Sequence, residues 1–234
     1  MRTIGLIGGM SWESSIEYYR IINEVTKARL GGLHSAKSVM VSVDFAEIET
    51  LQHKGRWQEA GQLMVAAAQS LERAGANFVV LCTNTMHKLA NEIQAHIQIP
   101  FLHIADATAQ RVQSQGLHSI GLLGTRFTME EDFYRGRLSS HGLAVVIPNE
   151  AEREIVHKVI YDELCLGIVK SDSRQRYVDI IQNLLKAGVE GVILGCTEIE
   201  LLIKAGDVDC PLFATTRIHA EAAVDAAIQG DLLA

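Results

Sequence analysis

Two stretches of the chain are nearly copies of one another: AGANFVVLCTNT at residues 74–85 and AGVEGVILGCTE at residues 187–198. Each begins with Ala-Gly, continues as a short apolar run and then reaches a Cys-Thr pair. A short apolar run bounded by glycine and polar residues is typical of a strand buried inside a parallel sheet. The sequence therefore predicts the same cysteine-bearing strand end twice.

A second match widens the repeat. TIGLIGG at residues 3–9 resembles SIGLLGT at residues 119–125, in the same order and at a similar separation along the chain, so we expect two duplicated halves. Helical patterns alternate with the apolar runs; in residues 56–74 apolar side chains recur at helical spacing, and Gly75 follows as a stop. The other predicted strands are SVMVSVDF, PFLHIA, LAVVIP and PLFAT.

This alternation predicts an α/β fold of two similar lobes with parallel sheets, related by pseudo-twofold symmetry. We place the first lobe at residues 1–98 plus 212–234 and the second at residues 99–211, with crossovers near Pro100 and Pro211. Ligands of open parallel sheets bind outside the carboxyl ends of the strands. We therefore expect the active site in the cleft between the lobes, with Cys82 and Cys196 on opposite walls.

Composition limits the classes of function. The 234 residues are 48% hydrophobic and 21% charged, which is enough apolar material for a substantial core. The net charge is −7 and no dense basic run occurs, so nucleic acid is a poor partner and a small molecule fits better. We read no signal peptide in MRTIGLIGGM and no apolar run long enough to span a membrane.

The four cysteines do not have the spacing of a zinc site or of a disulfide framework, which predicts reduced thiols and a cytoplasmic location. A single strand-end cysteine is more often an inert packing residue than a catalyst. Two such thiols at matched positions of a repeat favour catalysis, although duplication also copies structural residues. We interpret Cys165 and Cys210, which lack matched partners, as structural.

Two opposed thiols suit one reaction in particular. One removes a proton from one face of a carbon while the other, still protonated, delivers a proton to the opposite face, which inverts the centre. Short polar residues near the strand ends can hold a carboxylate: Thr83, Asn84 and Thr85 in one half, Thr197 in the other. Glu198 and His87 are candidates to hold an ammonium group or to adjust a thiol pKa.

The glycine-rich strand ends GLIGGMS and GLLGTR do not match G-x-G-x-x-G or a Walker motif, so we do not interpret them as nucleotide loops. We expect them to bring backbone amides close to a small ligand. Met10, Ser11, Thr125 and Arg126 would line the mouth of the cleft.

Longer motifs carry a family resemblance. IGLIGGMSWESS, LCTNTMHK, LLGTRFTM and LGCTEIE resemble the aspartate/glutamate racemase family of cofactor-independent racemases, over essentially the whole chain. GGMSWES, RLGGLHSA and DFYRGRL are similar to its enterobacterial broad-specificity branch. The resemblance implies Cys82 and Cys196 as acid/base thiols, with Asn84, Thr85, Thr125 and Thr197 at the α-carboxylate and Ser11 near the amino group. It also implies an amino-acid substrate, no cofactor and a homodimer.

Two departures from the family concern specificity. Glu198 stands where glutamate racemases carry histidine, which points to the aspartate or broad-specificity branch. The segments in which aspartate-specific relatives place a cationic clamp read SVDFAEIET and YDELCLG and contain no basic residue. Asp44 and Glu47 would repel a second carboxylate, although Lys54, Arg56 or Arg126 could compensate from a neighbouring loop.

The leading hypothesis is a broad-specificity amino-acid racemase that does not need pyridoxal phosphate. A strict aspartate/glutamate racemase is one alternative. A decarboxylase or cis-trans isomerase built on the same lobes would use one cysteine, so the doubled motif favours racemization. A two-lobed protein that binds an amino acid without turnover is the alternative from another class, which fold alone does not exclude.

Overall fold

The computed structural model describes residues 1–230 and divides the chain into two compact units. Within the described residues, the first unit comprises Met1–Ile104 and 219–230, and the second is Ala105–Ile218. Each unit contains a four-stranded, wholly parallel sheet. The predicted fold class, two α/β lobes with parallel sheets, is confirmed.

The sheet of the first unit has the strand order β2-β1-β3-β4. Its strands are β1 (Ile4–Gly8), β2 (Ser38–Ser42), β3 (Phe78–Leu81) and β4 (Phe101–Leu102). The helices of this unit are α1 (Trp12–Leu30), α2 (Phe45–His53), α3 (Trp57–Arg73) and α4 (Ala90–Ala95), with a 3₁₀ helix at Thr85–Leu89. Helix α5 (Ile104–Ser114) begins at the last residue of the first segment.

The second unit repeats this order as β6-β5-β7-β8. Its strands are β5 (Ser119–Gly124), β6 (Ala144–Val146), β7 (Gly191–Gly195) and β8 (Leu212–Ala214). Its helices are α6 (Arg126–Glu130), α7 (Asp132–Ser140), α8 (Glu150–Asp162), α9 (Ser171–Lys186) and α10 (Ile199–Leu202), with a 3₁₀ helix at Leu164–Leu166. Helix α11 (Thr215–Gln229) starts here and continues into the first unit.

The boundaries of the units differ from the sequence prediction of 98/99 and 211/212. Strand β4 pairs with β3, and therefore belongs to the first unit rather than the second. Strand β8 pairs with β7, and therefore belongs to the second unit rather than the first. Each crossover thus follows the fourth strand, because the hydrogen bonds of that strand complete its sheet. Residues 231–234 of the predicted first lobe lie outside the described residues.

Packing on both faces explains why the central strands are apolar at every position. In the first unit Ile7, Val79 and Leu81 contact a cluster that includes Met64 and Leu71 of α3. The intervening residues belong to a second cluster, formed with α1 and α11, whose members include Ile4, Leu6, Tyr18, Phe78, Val80 and Val224. Strands covered on both faces lack alternation, as expected for parallel sheets. Within residues 1–230 no helix combines the length and apolar character needed to cross a membrane.

Candidate active site

Cys82 follows directly after β3 and is fully buried. Its backbone N–H donates to the Ile7 carbonyl at 2.9 Å, and its own carbonyl accepts from the Ser14 hydroxyl of α1 at 3.0 Å. The thiol lies 3.9 Å from the Val80 carbonyl. Burial raises the pKa of the Cys82 thiol well above its usual range, because a thiolate would lose its hydration. The resting group is therefore a protonated thiol.

His87 fixes the turn that carries this thiol. Its Nδ1 lies 2.7 Å from the Thr83 carbonyl, which can only accept, so this nitrogen carries the proton. Its Nε2 accepts from the backbone N–H of Ile104 at 3.2 Å. The ring thus ties the residue after Cys82 to the start of α5. His87 therefore supports the backbone of the turn that carries Cys82.

Asn84 and Thr85 lie at the start of the 3₁₀ helix that follows Cys82, and both are buried. Met10 and Ser11 lie between the adjacent strand β1 and α1, and are also buried. The first unit thus gathers five of the predicted residues near the carboxyl ends of β1 and β3, which are neighbours in the sheet. The residues are Met10, Ser11, Cys82, Asn84 and Thr85.

Cys196 occupies the matching position after β7, and its surroundings are different. Its Sγ donates to Oε2 of Glu198 at 2.9 Å, and both side chains are buried. Burial raises the pKa of the Cys196 thiol, and the negative charge of Glu198 raises it further. The Glu198 carboxylate is therefore hydrogen-bonded directly to the Cys196 thiol.

Helix starts hold the Cys196 turn in place. The Cys196 carbonyl accepts from the N–H of Ile199 in α10 at 3.2 Å. The half-buried Thr197 contacts Thr216 of α11, with the two hydroxyl oxygens 3.0 Å apart. The neighbouring Thr215 hydroxyl donates to the Leu194 carbonyl of β7 at 2.9 Å. The turn is thus attached to the element that follows the next strand, as the Cys82 turn is attached to α5.

Ser11 and Thr125 occupy equivalent places in the two units, because each caps the helix that follows the first strand. The Ser11 hydroxyl accepts from the N–H of Ser14, and the Thr125 hydroxyl from that of Thr128, both at 3.3 Å. The second unit thus places Thr125, Cys196, Thr197 and Glu198 at the carboxyl ends of the neighbouring strands β5 and β7. The repeat in sequence is a repeat in the placement of polar groups.

The glycine run before Ser11 has a structural reason of its own. Gly9 adopts φ +94°, which L side chains rarely adopt, and a Cβ there would overlap the Val43 backbone. Thr125 follows β5 directly, without an inserted Gly-Met.

Sequence reasoning missed Ser14 and Thr216, which hold the two thiol turns. Thr216 comes just after the predicted strand PLFAT, so its place near a strand end was a usable signal. Ser14 lies in the first turn of a helix, where serine is common and indicates nothing by itself.

In the two segments that lack a cationic clamp, the acidic residues Asp44 and Glu163 form hydrogen bonds with neighbouring residues. Asp44 is exposed and caps α2, where it accepts from the Ala46 N–H at 3.1 Å. In the second segment, Glu163 accepts from Ser173 at 2.7 Å and from Lys170 at 3.2 Å. Among the cations considered as substitutes, Arg56 pairs with Glu59 and Arg126 with Glu154. Each arginine thus has a carboxylate partner within its own unit.

All four cysteines are free thiols. In the described part of the chain, no three His, Cys, Asp or Glu side chains are grouped so that they could hold a metal ion.

The chain is similar in sequence and fold to known racemases and racemase homologues. The Asp/Glu/hydantoin racemase profile matches residues 7–223. The broad specificity amino-acid racemase RacX of Bacillus subtilis is 21% identical over 173 residues, which cover 71% of each chain. A crystal structure of a candidate Asp/Glu racemase from Yersinia pestis is 58% identical, with a TM-score of 0.93 over 98% of this chain and 100% of that one. An aspartate racemase homologue from Pyrococcus horikoshii OT3 is 35% identical, with a TM-score of 0.85 over 97% and 99% of the two chains. The resemblance found in the sequence motifs is thereby confirmed, and the chain belongs to the Asp/Glu/hydantoin racemase family.

Proposed function

We propose that the protein is a cofactor-independent amino-acid racemase in which Cys82 and Cys196 exchange protons with opposite faces of the substrate α-carbon. The observation that carries this proposal is the matched position of the two thiols. Each follows the third strand of its sheet as numbered along the unit, next to the strand whose helix is capped by Ser11 or Thr125. Packing alone needs no such correspondence.

The protonation states support this chemistry. Burial keeps both thiols protonated at rest, so either can donate a proton to a carbanion. A thiol with a raised pKa also forms a stronger base once it has lost its proton. Removal of the α-proton by one thiolate and delivery of a proton by the opposite thiol gives the other enantiomer, and no Schiff-base lysine takes part.

The polar residues near the two thiols supply the groups that a zwitterionic substrate needs. We assign Asn84, Thr85, Thr125 and Thr197 to the α-carboxylate, since their hydroxyl and amide groups can donate to it. Ser11 is assigned to the amino group and Met10 to the wall beside it. Glu198 was a candidate for the amino group as well, but its contact with Cys196 favours a role in proton transfer.

We further propose a broad substrate range that includes neutral amino acids. The segments expected to carry a cationic clamp contain no basic residue, and Arg56 and Arg126 are paired with glutamates. The similarity to RacX agrees with this choice. A strict aspartate/glutamate racemase would need a cation at the distal carboxylate. We also propose a cytoplasmic enzyme, because its cysteines are free thiols, and a homodimer, as the family resemblance implies.

The test begins with α-proton exchange in heavy water. The purified protein, dialysed against a chelator and free of pyridoxal phosphate, is incubated with a panel of L-amino acids, and the α-proton signal is followed by NMR. We expect exchange together with the appearance of the D-enantiomer. Binding without exchange would identify a binding protein, and release of carbon dioxide a decarboxylase.

Serine variants test the roles of the two thiols. Cys82→Ser and Cys196→Ser should each abolish net racemization, because a hydroxyl is far too weak an acid and base at neutral pH. Each variant keeps one thiol, so any slow exchange that remains should affect opposite enantiomers. Cys210→Ser, which removes a half-buried thiol elsewhere, serves as the matched control and should retain activity. If either site variant racemizes within about tenfold of the parent, worth roughly 1.4 kcal/mol of barrier, that cysteine is structural.

A further inference from the structure

The two thiols differ in the residue found two positions further along the chain. Cys82-Thr83 is followed by Asn84, whereas Cys196-Thr197 is followed by Glu198. An amide does not ionise at any ordinary pH, whereas a carboxylate is a base. The repeat is thus symmetric in its thiols and asymmetric in the groups that can take a proton from them.

The Glu198 carboxylate is in direct contact with the sulfur atom of Cys196. Oε2 of Glu198 accepts from Sγ of Cys196 at 2.9 Å, well within the range of a hydrogen bond to sulfur. Glu198 is buried, and the turn that carries it is fixed by the hydrogen bonds of α10, including Leu201 N–H to the Glu198 carbonyl at 3.0 Å. In contrast, the Cys82 thiol faces a backbone carbonyl at 3.9 Å.

We propose that Glu198 is a catalytic residue, the group that takes the proton of Cys196 and so makes this thiol the stronger base of the pair. The inference rests on the proposed racemase function and deepens it. It assigns Glu198 to proton transfer rather than to holding the substrate ammonium.

The proton balance of the step is simple. The S–H bond of Cys196 breaks, its electron pair stays on sulfur, and the proton forms an O–H bond on Glu198. The thiolate then takes the α-proton of the substrate, and Cys82 delivers its own proton to the other face of the carbanion. After the product leaves, Cys82 is a thiolate and Glu198 is protonated. Solvent then carries a proton from the Glu198 carboxyl group to Cys82. One negative charge is present throughout.

Repulsion between like charges explains why Glu198 raises the pKa of Cys196. Oε2 of Glu198 lies 2.9 Å from Sγ of Cys196, so a thiolate there would stand beside a carboxylate in a buried site, and this repulsion raises the pKa of the thiol beyond the effect of burial. Other titratable groups lie near the pair. Cys165, in the 3₁₀ helix of the second unit, contributes to the raised pKa of Cys196. Tyr177 of α9 donates to the Val156 carbonyl at 2.9 Å and is kept neutral by burial.

The test is Glu198→Gln, which keeps the shape of the side chain and removes its basicity. In the parent, Glu198 can take the proton of Cys196, so the thiol need not lose its proton to solvent. In the variant, the thiol must ionise by itself, so kcat/KM at pH 7 should fall at least about tenfold and should recover as the pH rises. Glu150→Gln removes an exposed carboxylate of the same unit and is the control for charge alone.

A direct titration of Cys196, by NMR of isotope-labelled cysteine, gives a readout that loss of packing would not produce. Without the repulsion from Glu198, the thiol itself should titrate at lower pH in the variant. The acid limb of the pH profile of kcat/KM should nevertheless move to higher pH, because the variant has no carboxylate to take the proton of Cys196. Opposite shifts of these two curves would support the proposal. Parallel loss of activity at every pH, or a raised KM with an unshifted profile, would overturn it in favour of a structural or ammonium-binding role.

Proton exchange separates this inference from the function on which it rests. With Cys82→Ser, exchange of one enantiomer reports on Cys196 alone; with Cys196→Ser, exchange of the other reports on Cys82 alone. Adding Glu198→Gln should slow the first exchange at least tenfold more than the second. Equal effects would overturn the role of Glu198 while leaving the racemase function standing. Absence of exchange in the parent would overturn both.

Discussion

At the residue scale, the same strand position supports two thiols with different neighbours. Cys82 is enclosed by backbone and apolar side chains, whereas Cys196 donates to a carboxylate. Local environment rather than residue type therefore decides the behaviour of a thiol. The sequence shows this difference only as Asn84 against Glu198, and the side-chain contact gives it a chemical meaning.

Substrate range is also decided by single residues. Because the two candidate clamp segments contain only acidic charges, we expect kcat/KM for neutral or polar amino acids at least comparable to that for aspartate. The check is kcat/KM across acidic, polar and aliphatic substrates. A preference for aspartate or glutamate above about a hundredfold, roughly 2.7 kcal/mol of differential transition-state binding, would contradict this expectation.

At the scale of elements, side chains distant in sequence link each thiol turn to the following helix. His87 joins Thr83 to Ile104 of α5, and Thr197 contacts Thr216 of α11. In both units, the helix that follows the strand next to the thiol strand therefore supports the thiol turn. Such bracing limits the positions that the sulfur atoms can take, and the proposed proton transfer needs this precision.

An ion pair between two helices of the second unit makes a prediction about pH. Asp106 of α5 accepts from Arg137 of α7 at 2.6 Å and from His141 at 2.9 Å. Burial alone would raise the pKa of Asp106, but these two hydrogen bonds outweigh it and lower the pKa below its ordinary value of 3.8. The stabilisation is therefore present above that value and is lost as the pH falls through the lower pKa of the folded protein.

Asp106→Asn should lower the free energy of unfolding at pH 7 by about 1 kcal/mol, a modest figure because the exposure of Arg137 weakens the pair. The difference from the parent should vanish at pH values below the folded pKa of Asp106. Urea unfolding at a series of pH values measures both effects. Asp162→Asn, at an exposed position of the same unit, is the control. A pH-independent difference would show that the carboxylate charge is not the cause.

At the scale of the whole molecule, the last helix, α11, belongs to both units. The first unit is completed by α11, whose His219 lies between the Tyr18 hydroxyl at 2.8 Å and the Leu102 carbonyl at 2.9 Å. The same helix starts in the second unit, where Thr216 contacts Thr197. The last helix therefore forms hydrogen bonds in both units, and in the second unit it contacts the thiol turn directly.

In the proposed mechanism both thiols belong to one chain, and this gives a prediction for mixtures. Cys82→Ser and Cys196→Ser, mixed under conditions that allow subunits to exchange, should not restore racemization. Chiral chromatography of the product measures the outcome. Activity that appears on mixing would show that a site is completed by two chains, and would overturn the single-chain assignment.

The amino-acid sequence by itself determined the class of fold. Apolar runs without alternation indicate strands covered on both faces, and each of the eight predicted runs contains a strand. The two copies of the cysteine-bearing run predicted repeated units, and the strand orders β2-β1-β3-β4 and β6-β5-β7-β8 agree. The predicted positions of the thiols after β3 and β7 also agree, because the end of a strand is a local property of the chain.

Only the tertiary structure decided the limits of the units and the partners of the side chains. Strands β4 and β8 complete the sheets that precede them, because their backbone groups pair with β3 and β7, and no local pattern reveals which strand a short apolar run will join. The Glu198 contact depends on the rotamer that the buried turn allows, and the Ser14, His87 and Thr216 hydrogen bonds depend on helices brought together by packing. Periodicity and propensity describe neighbours in sequence, whereas these contacts are set by the free energy of packing the whole chain.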